Sequence, residues 1–154
     1  MTQTKTPVRE FFDIYARETA EGNMEAIVSH FTDPFLSAGP SGTQSVHVAD
    51  FAAAVPKRKA LFDRLGSQPA QLVGFREAPL DSRYVLVRTS WQMSFVHENI
   101  PSKKVDVEST YLIDTGLPQT DPADFKILLY LTHQDVMQIL RDRGILEETK
   151  EKIA

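Results

Sequence analysis

Three side chains in this sequence carry exchangeable protons at positions where an interior could use them: Tyr15, His133 and Asp135. Tyr15 falls on an apolar face with Val8, Phe11, Phe12 and Thr19, at three- and four-residue spacing, so its phenol is directed inward. His133 and Asp135 are two residues apart, and in an extended segment such side chains leave the same face. Carboxyl, imidazole and phenol are side chains that can give or take a proton without a cofactor. Each residue also has a plainer reading. A buried phenol meeting one partner accounts for Tyr15. Asp135 can cap a following helix by accepting its unpaired N–H groups, and His133 can be hydrogen-bonded scaffold at the end of a strand.

Other chemistries find no foothold. Cysteine is absent, which removes disulfides, thiol nucleophiles and thiolate metal sites, and fits a reducing, cytoplasmic location. His30, His47, His97 and His133 are far apart and form no His-x-Glu or His-x-x-x-His pair, so no metal site is expected. No Gly-rich phosphate loop or nucleophile elbow is visible. Net charge is -4, and basic residues are scattered except for Lys57, Arg58 and Lys59, so nucleic acid is not an expected partner. The polar N-terminus lacks a secretory stretch, and no apolar run approaches the roughly 20 residues that span a bilayer, so no membrane partner is expected either.

The elements that must position these groups follow from periodicity and punctuation. Thr6-Pro7 starts a helix that Gly22 stops. Asn23 can cap a second helix with the face Met24, Ile27, Val28 and Phe31, ending before Asp33-Pro34. Phe35 to Ala38 and Gln44 to Val48 read as short strands around Gly39-Pro40-Ser41-Gly42. Asp50 opens a third helical pattern that Pro56 is expected to kink or break and Gly66 closes. Ala70 to Glu77, Tyr84 to His97, Lys103 to Asp114 and Phe125 to His133 then read as a four-stranded antiparallel meander, rich in β-branched and aromatic residues. Ser90 and Ser94 suit a bend in the longest strand. Asp135 can cap a last short helix with Val136, Ile139 and Leu140, ending at Gly144, and the charged tail from Leu146 to Ala154 is expected to fray.

Helices on one side of a bent sheet make the arrangement α+β. One domain is expected over 1–154, with an ordered core of about 6–146: a cone-shaped, curved antiparallel sheet packed on the long N-terminal helix.

Two stretches carry a resemblance to a known family. In Phe11 to Asp33 a tyrosine lies seven residues before the helix-ending Gly22, and an apolar helix ends in Phe31-Thr32-Asp33. In Asp135-Val-Met-Gln-Ile-Leu-Arg-Asp-Arg-Gly144 an aspartate precedes a glycine by nine residues. On these pieces the chain resembles the nuclear transport factor 2-like superfamily, with its ketosteroid isomerases and SnoaL-like polyketide cyclases, from about Val8 to Leu146. The resemblance implies a cystatin-like cone enclosing a pocket. It places Tyr15 on the isomerases' oxyanion-hole tyrosine, Gly39 where their general base stands, and Ser109 or Thr110 at the second oxyanion donor, so it does not imply steroid isomerisation. From the cyclases it implies cofactor-free acid/base catalysis, with Asp135 at the position of the acid/base carboxylate.

The expected occupant is a small, largely apolar or aromatic carbonyl compound, turned over by Asp135 with Tyr15 or His133, or simply bound. Phe12, Phe31, Trp91, Met93, Phe95 and Tyr111 are the expected pocket wall, because Trp91, Met93 and Phe95 alternate on one face of the longest strand. The alternative is a non-catalytic dimerisation or protein-interaction module on the same fold. A homodimer is expected on either reading, since both faces of the long strand are partly apolar, with Tyr84, Leu86, Arg88 and Gln92 opposite Val85, Val87 and Trp91.

Overall fold

The structure, a computed structural model, describes residues 5–97 and 100–146. Helix α1 (Pro7–Glu21) starts with the Thr6 hydroxyl accepting from Arg9 N–H and ends at Gly22 in the left-handed conformation. Helix α2 (Met24–Ser29) is capped by the Asn23 side chain, as the cap chemistry predicts. The chain turns into β1 (Phe31–Gly39) and returns as β2 (Gly42–Val46). Phe31 therefore begins a strand rather than ending the second helix. Helix α3 (Val48–Arg64) runs through Pro56 without interruption, so of the kink or break expected there the break does not occur. Pro56 sits on the exposed side of α3, where solvent can meet the carbonyl its ring leaves unpaired.

Strands β3 (Gln71–Pro79), β4 (Tyr84–His97), β5 (Ile100–Asp114) and β6 (Lys126–Thr132) form the expected antiparallel meander. The sheet is larger and mixed: its order is β2-β1-β6-β5-β4-β3, and β1 pairs parallel with β6. That pairing closes the chain's first and last strands against each other, a contact between distant segments that local periodicity cannot display. Beside Ser90, where a bend is expected, the irregularity in pairing is on β3. β4 keeps regular register with β5 from Tyr84 to Phe95, whereas β3 shifts between Leu72 and Gly74. A side chain at Gly74 would meet Ser90 at 3.0 Å, so this close approach admits only glycine without adjustment.

Burial on β4 and β5 alternates, with Val85, Val87, Thr89, Trp91, Met93 and Phe95 facing inward opposite Ile113, Tyr111, Ser109, Val107, Val105 and Lys103 of β5. Onto this face α1 delivers Val8, Phe11 and Phe12. Phe12 meets the Tyr111 ring edge-on at 4.9 Å and Phe75 at 5.6 Å, and Phe11 packs on Phe125 at 6.0 Å. Such edge contacts add about 0.5–1.5 kcal/mol beyond area burial. At the helical corner buried His30 meets Glu18 at 2.5 Å through Nε2 and lies edge-on to Phe11. Helix α4 (Val136–Asp142) follows β6, capped by Asp135, whose carboxylate accepts from Gln138 N–H at 3.1 Å. The expected fraying beyond Leu146 concerns residues outside those described.

Candidate functional site

Helix α3 covers the sheet differently from α1, since none of its residues is fully buried. It is anchored at both ends. Near its start Phe51 packs on Phe31 at 4.8 Å and Phe35 at 5.2 Å. At its end Phe62 faces Phe95 at 6.4 Å, Leu65 is fully buried, and Gly66 carbonyl accepts from Val96 N–H at 2.9 Å. Between these anchors the middle of α3 stands off the sheet and encloses a cavity of about 500 Å³. A volume in this range matches small-molecule sites.

The floor is the inward face of the sheet: Trp91 and Met93 of β4, Val107, Ser109 and Tyr111 of β5, Tyr130 and Thr132 of β6. Tyr15, Ala16 and Thr19 of α1 and Met24 and Ile27 of α2 close one side. Phe51, Val55, Arg58 and Phe62 of α3 close the other. Three phenols cluster here, with Tyr15 6.3 Å and Tyr130 5.0 Å from the Tyr111 ring. Burial pushes the Tyr111 hydroxyl well above the ordinary tyrosine range, reinforced by Tyr130 and Tyr15. Tyr15 is raised by burial too, then by Tyr130, while the positive charge of Arg58 pulls the other way. Both phenols are therefore neutral at physiological pH and act as hydrogen-bond donors and acceptors.

The Trp91 indole N–H is sealed from the cavity, with the Tyr111 hydroxyl as its near neighbour. The carboxylates along the wall are engaged: Asp63 pairs with Lys59 at 2.9 Å, and Glu108 pairs with Arg88, which holds it below the usual carboxylate range. Among the described residues, no cluster of His, Asp or Glu could hold a metal ion.

Of the residues expected to act, Tyr15 faces the cavity and the other two do not. Asp135 is exposed, serves as the α4 cap, and borders a separate polar groove with the Gly39–Gly42 turn. His133 is exposed and bonds the Thr110 hydroxyl at 2.6 Å on the outer side of the sheet. The cause is a register shift between β5 and β6, where Leu112 faces Leu129 but Ile113 faces Ile127. The extra residue, Leu128, reverses the alternation. Phe125 and Ile127 are buried before it; after it Tyr130, Thr132 and Gln134 turn inward while Leu129, Leu131 and His133 turn outward. Tyr130 was missed for the same reason, and an unbroken count of two gives no warning of a bulge. The same register resolves the Ser109 or Thr110 alternative, since Ser109 is the inward residue. Of the expected wall, Phe31, Trp91, Met93 and Tyr111 line the cavity, whereas Phe12 and Phe95 are sealed in the core at 0% and 1% exposure. Phe51, Val55 and Phe62 of α3 went unrecognised as wall, although their four- and seven-residue spacing marks one helical face.

The chain matches no protein-family model, and no curated protein matches it in sequence. Its structure is similar to the β subunit of the benzoate 1,2-dioxygenase from Burkholderia mallei, at TM-score 0.65 and 13% identity over 90% of this chain and 95% of that one. It is also similar to an NTF2-like protein with a cystatin-like fold from Novosphingobium aromaticivorans, at TM-score 0.63 and 12% identity over 82% and 78%. A ketosteroid isomerase-like protein from Erwinia carotovora atroseptica follows at TM-score 0.59 and 10% identity over 82% and 92%. These likenesses establish the expected fold, nuclear transport factor 2-like and cystatin-like, and nothing finer. No helix among the described residues is long and apolar enough to cross a membrane.

Proposed function

We propose that this chain, a protein of the nuclear transport factor 2-like fold, binds a small, largely apolar or aromatic carbonyl compound in the cavity between α3 and the sheet. The observation that carries the reading is a hollow of about 500 Å³ lined by aromatic and aliphatic side chains, with the neutral phenols of Tyr15 and Tyr111 at its wall. Donors in an apolar wall orient a carbonyl oxygen while the rest of the ligand displaces water. Binding is better supported than turnover. Proton abstraction needs an unengaged base within reach of the substrate, and the wall carboxylates Asp63 and Glu108 are both held in ion pairs. Asp135 and His133, on the geometry, do not reach this ligand; Tyr15 is the expected site residue that does.

Because the protein has one tryptophan and that residue lines the cavity, its emission reports occupancy. Titration with 4-methylbenzophenone is expected to give a saturable change in emission that Ala16→Phe, which fills the hollow, abolishes. A linear response, the same in both proteins, would reject the reading.

A second reading, a module that pairs with another copy, is favoured by the outer sheet face. Leu36, Leu129, Leu112, Leu86 and Ala78 stand opposite one another in register across five strands, and Leu36 and Leu86 are exposed. Sedimentation giving only monomer at micromolar concentration would remove it.

A further inference from the structure

We infer that the ligand has two parts: an aromatic body in the cavity beneath α3 and an uncharged, hydroxyl-bearing extension, a sugar or similar polyol, in the groove beside the Gly39–Gly42 turn. The inference rests on the binding reading above and deepens it by naming the polar half of the molecule bound.

The sheet joins the two hollows. Cross-strand partners share a face, and the register sets Gln44 of β2 opposite Ser37 of β1, Ser37 opposite Tyr130 of β6, and Tyr130 opposite Tyr111 of β5. Tyr111 and Tyr130 floor the cavity, while Ser37 and Gln44 floor a groove of about 720 Å³, so one row of side chains runs from the first hollow into the second. Arg58, Thr132, Gln134 and Val136 border both. Gly39 keeps the passage between them open, since a side chain there would come within 2.8 Å of the Thr132 hydroxyl.

Along this floor the chemistry changes. The cavity is aromatic and aliphatic, whereas the groove presents the hydroxyls of Ser37, Ser41 and Thr132 and the carboxamides of Gln44 and Gln134. Each of these groups both donates and accepts, as a ligand hydroxyl does; a carboxylate only accepts and an ammonium only donates. Gln134 is fixed at the junction. Its carboxamide oxygen accepts from Glu108 N–H at 2.8 Å, so its nitrogen, on the other arm of the same planar group, is left to donate where the hollows meet. Leu61 and Met137 add apolar surface on which the C–H face of a sugar ring can rest. The charged residues at the rim are answered elsewhere: Lys57 and Arg58 are exposed to water, and the Asp135 carboxylate is turned to α4, where it accepts from Gln138 N–H.

Calorimetry with four probes separates the halves: 4-methylbenzophenone, the body alone; 4-benzoylphenyl β-D-glucopyranoside, body and polyol; the corresponding β-D-glucuronide, which adds a carboxylate to the polyol; and methyl β-D-glucopyranoside, the polyol without the body. The wild type is expected to bind the benzoylphenyl glucoside about tenfold more tightly than 4-methylbenzophenone, as two ordinary hydrogen bonds would give. The glucuronide should bind as the glucoside does, and methyl glucoside far more weakly. Ser37→Phe, which fills the groove, should remove the tenfold advantage and leave affinity for 4-methylbenzophenone unchanged. Gln44→Trp, in the same row on the edge strand, should do the same and replaces Ser37→Phe if that variant does not fold. A glucoside bound no more tightly than 4-methylbenzophenone, or an advantage that survives in both variants, overturns the extension. A glucuronide bound about tenfold more tightly than the glucoside overturns its neutrality. Methyl glucoside bound as tightly as the benzoylphenyl glucoside overturns the joint site. Each of these results leaves the binding reading standing if 4-methylbenzophenone binds. Failure of both benzophenone body and glucoside to bind overturns both.

Discussion

Two helices cover the same face of one sheet and do so in opposite ways. Helix α1 inserts Phe11 and Phe12, each at 0% exposure, and leaves no space beneath them. Helix α3 is longer, yet buries no residue fully and is held by aromatic contacts at its two ends, so its centre roofs a hollow. The difference lies in side-chain placement. α1 concentrates its large rings on a single stripe, whereas between Phe51 and Phe62 the apolar side chain that α3 turns toward the cavity is Val55, with Arg58 and Lys59 beside it. The sealed packing thereby falls to the first half of α1, and the cavity lies between its second half, from Tyr15 to Thr19, and the middle of α3. A filled region resists change, and an unfilled one accepts a ligand without unfolding the rest.

The contrast is broken most directly by truncating one ring on each side. Phe12→Ala is expected to cost about 3–5 kcal/mol in urea denaturation, because it opens a cavity in a sealed aromatic core. Phe62→Ala should cost about 1–2 kcal/mol, since its ring is only half-buried and loses little more than partial burial and the Arg58 contact. Similar losses for the two would show that α3 is as tightly packed as α1. Asp135 belongs to neither region, so Asp135→Ala should cost about 1 kcal/mol through loss of the α4 cap. Asp135→Asn should preserve stability, and both variants should bind 4-methylbenzophenone as the wild type does; weakened binding would return Asp135 to the site.

The smallest expected effect is at Tyr15, which touches both regions. Its folded pKa is raised, first by burial and then by Tyr130. The stability it contributes is thus complete below about pH 10, the ordinary tyrosine value, and is lost as pH rises from there toward the folded value, because the unfolded chain releases its proton first. Tyr15→Phe should flatten the fall of the melting temperature above pH 10. An unchanged alkaline slope would mean that the phenol opens to bulk water.

Much of the fold is legible in one dimension because it follows from local rules. Thr6, Asn23 and Asp135 each precede an apolar helical pattern with a side chain that can take an orphan N–H, and each caps the expected helix. The alternation of Val85, Val87, Trp91, Met93 and Phe95 marks one buried face of β4, and the cavity residues Trp91 and Met93 follow from it. The candidate site is less legible. Tyr15 and four of the six expected wall residues reach the cavity, but Asp135 and His133 lie outside it, while Arg58, Tyr130 and the aromatic anchors of α3 enter it unannounced.

What the sequence determined by itself was therefore the element types, their caps and the identity of the sealed aromatic face. These depend on residues within a turn or two of one another. The parallel pairing of β1 with β6, the reversal of side-chain direction at Leu128 and the distance at which α3 stands from the sheet were decided only in three dimensions. Each depends on contacts between residues far apart in the chain, and a one-residue bulge is enough to redirect which groups meet.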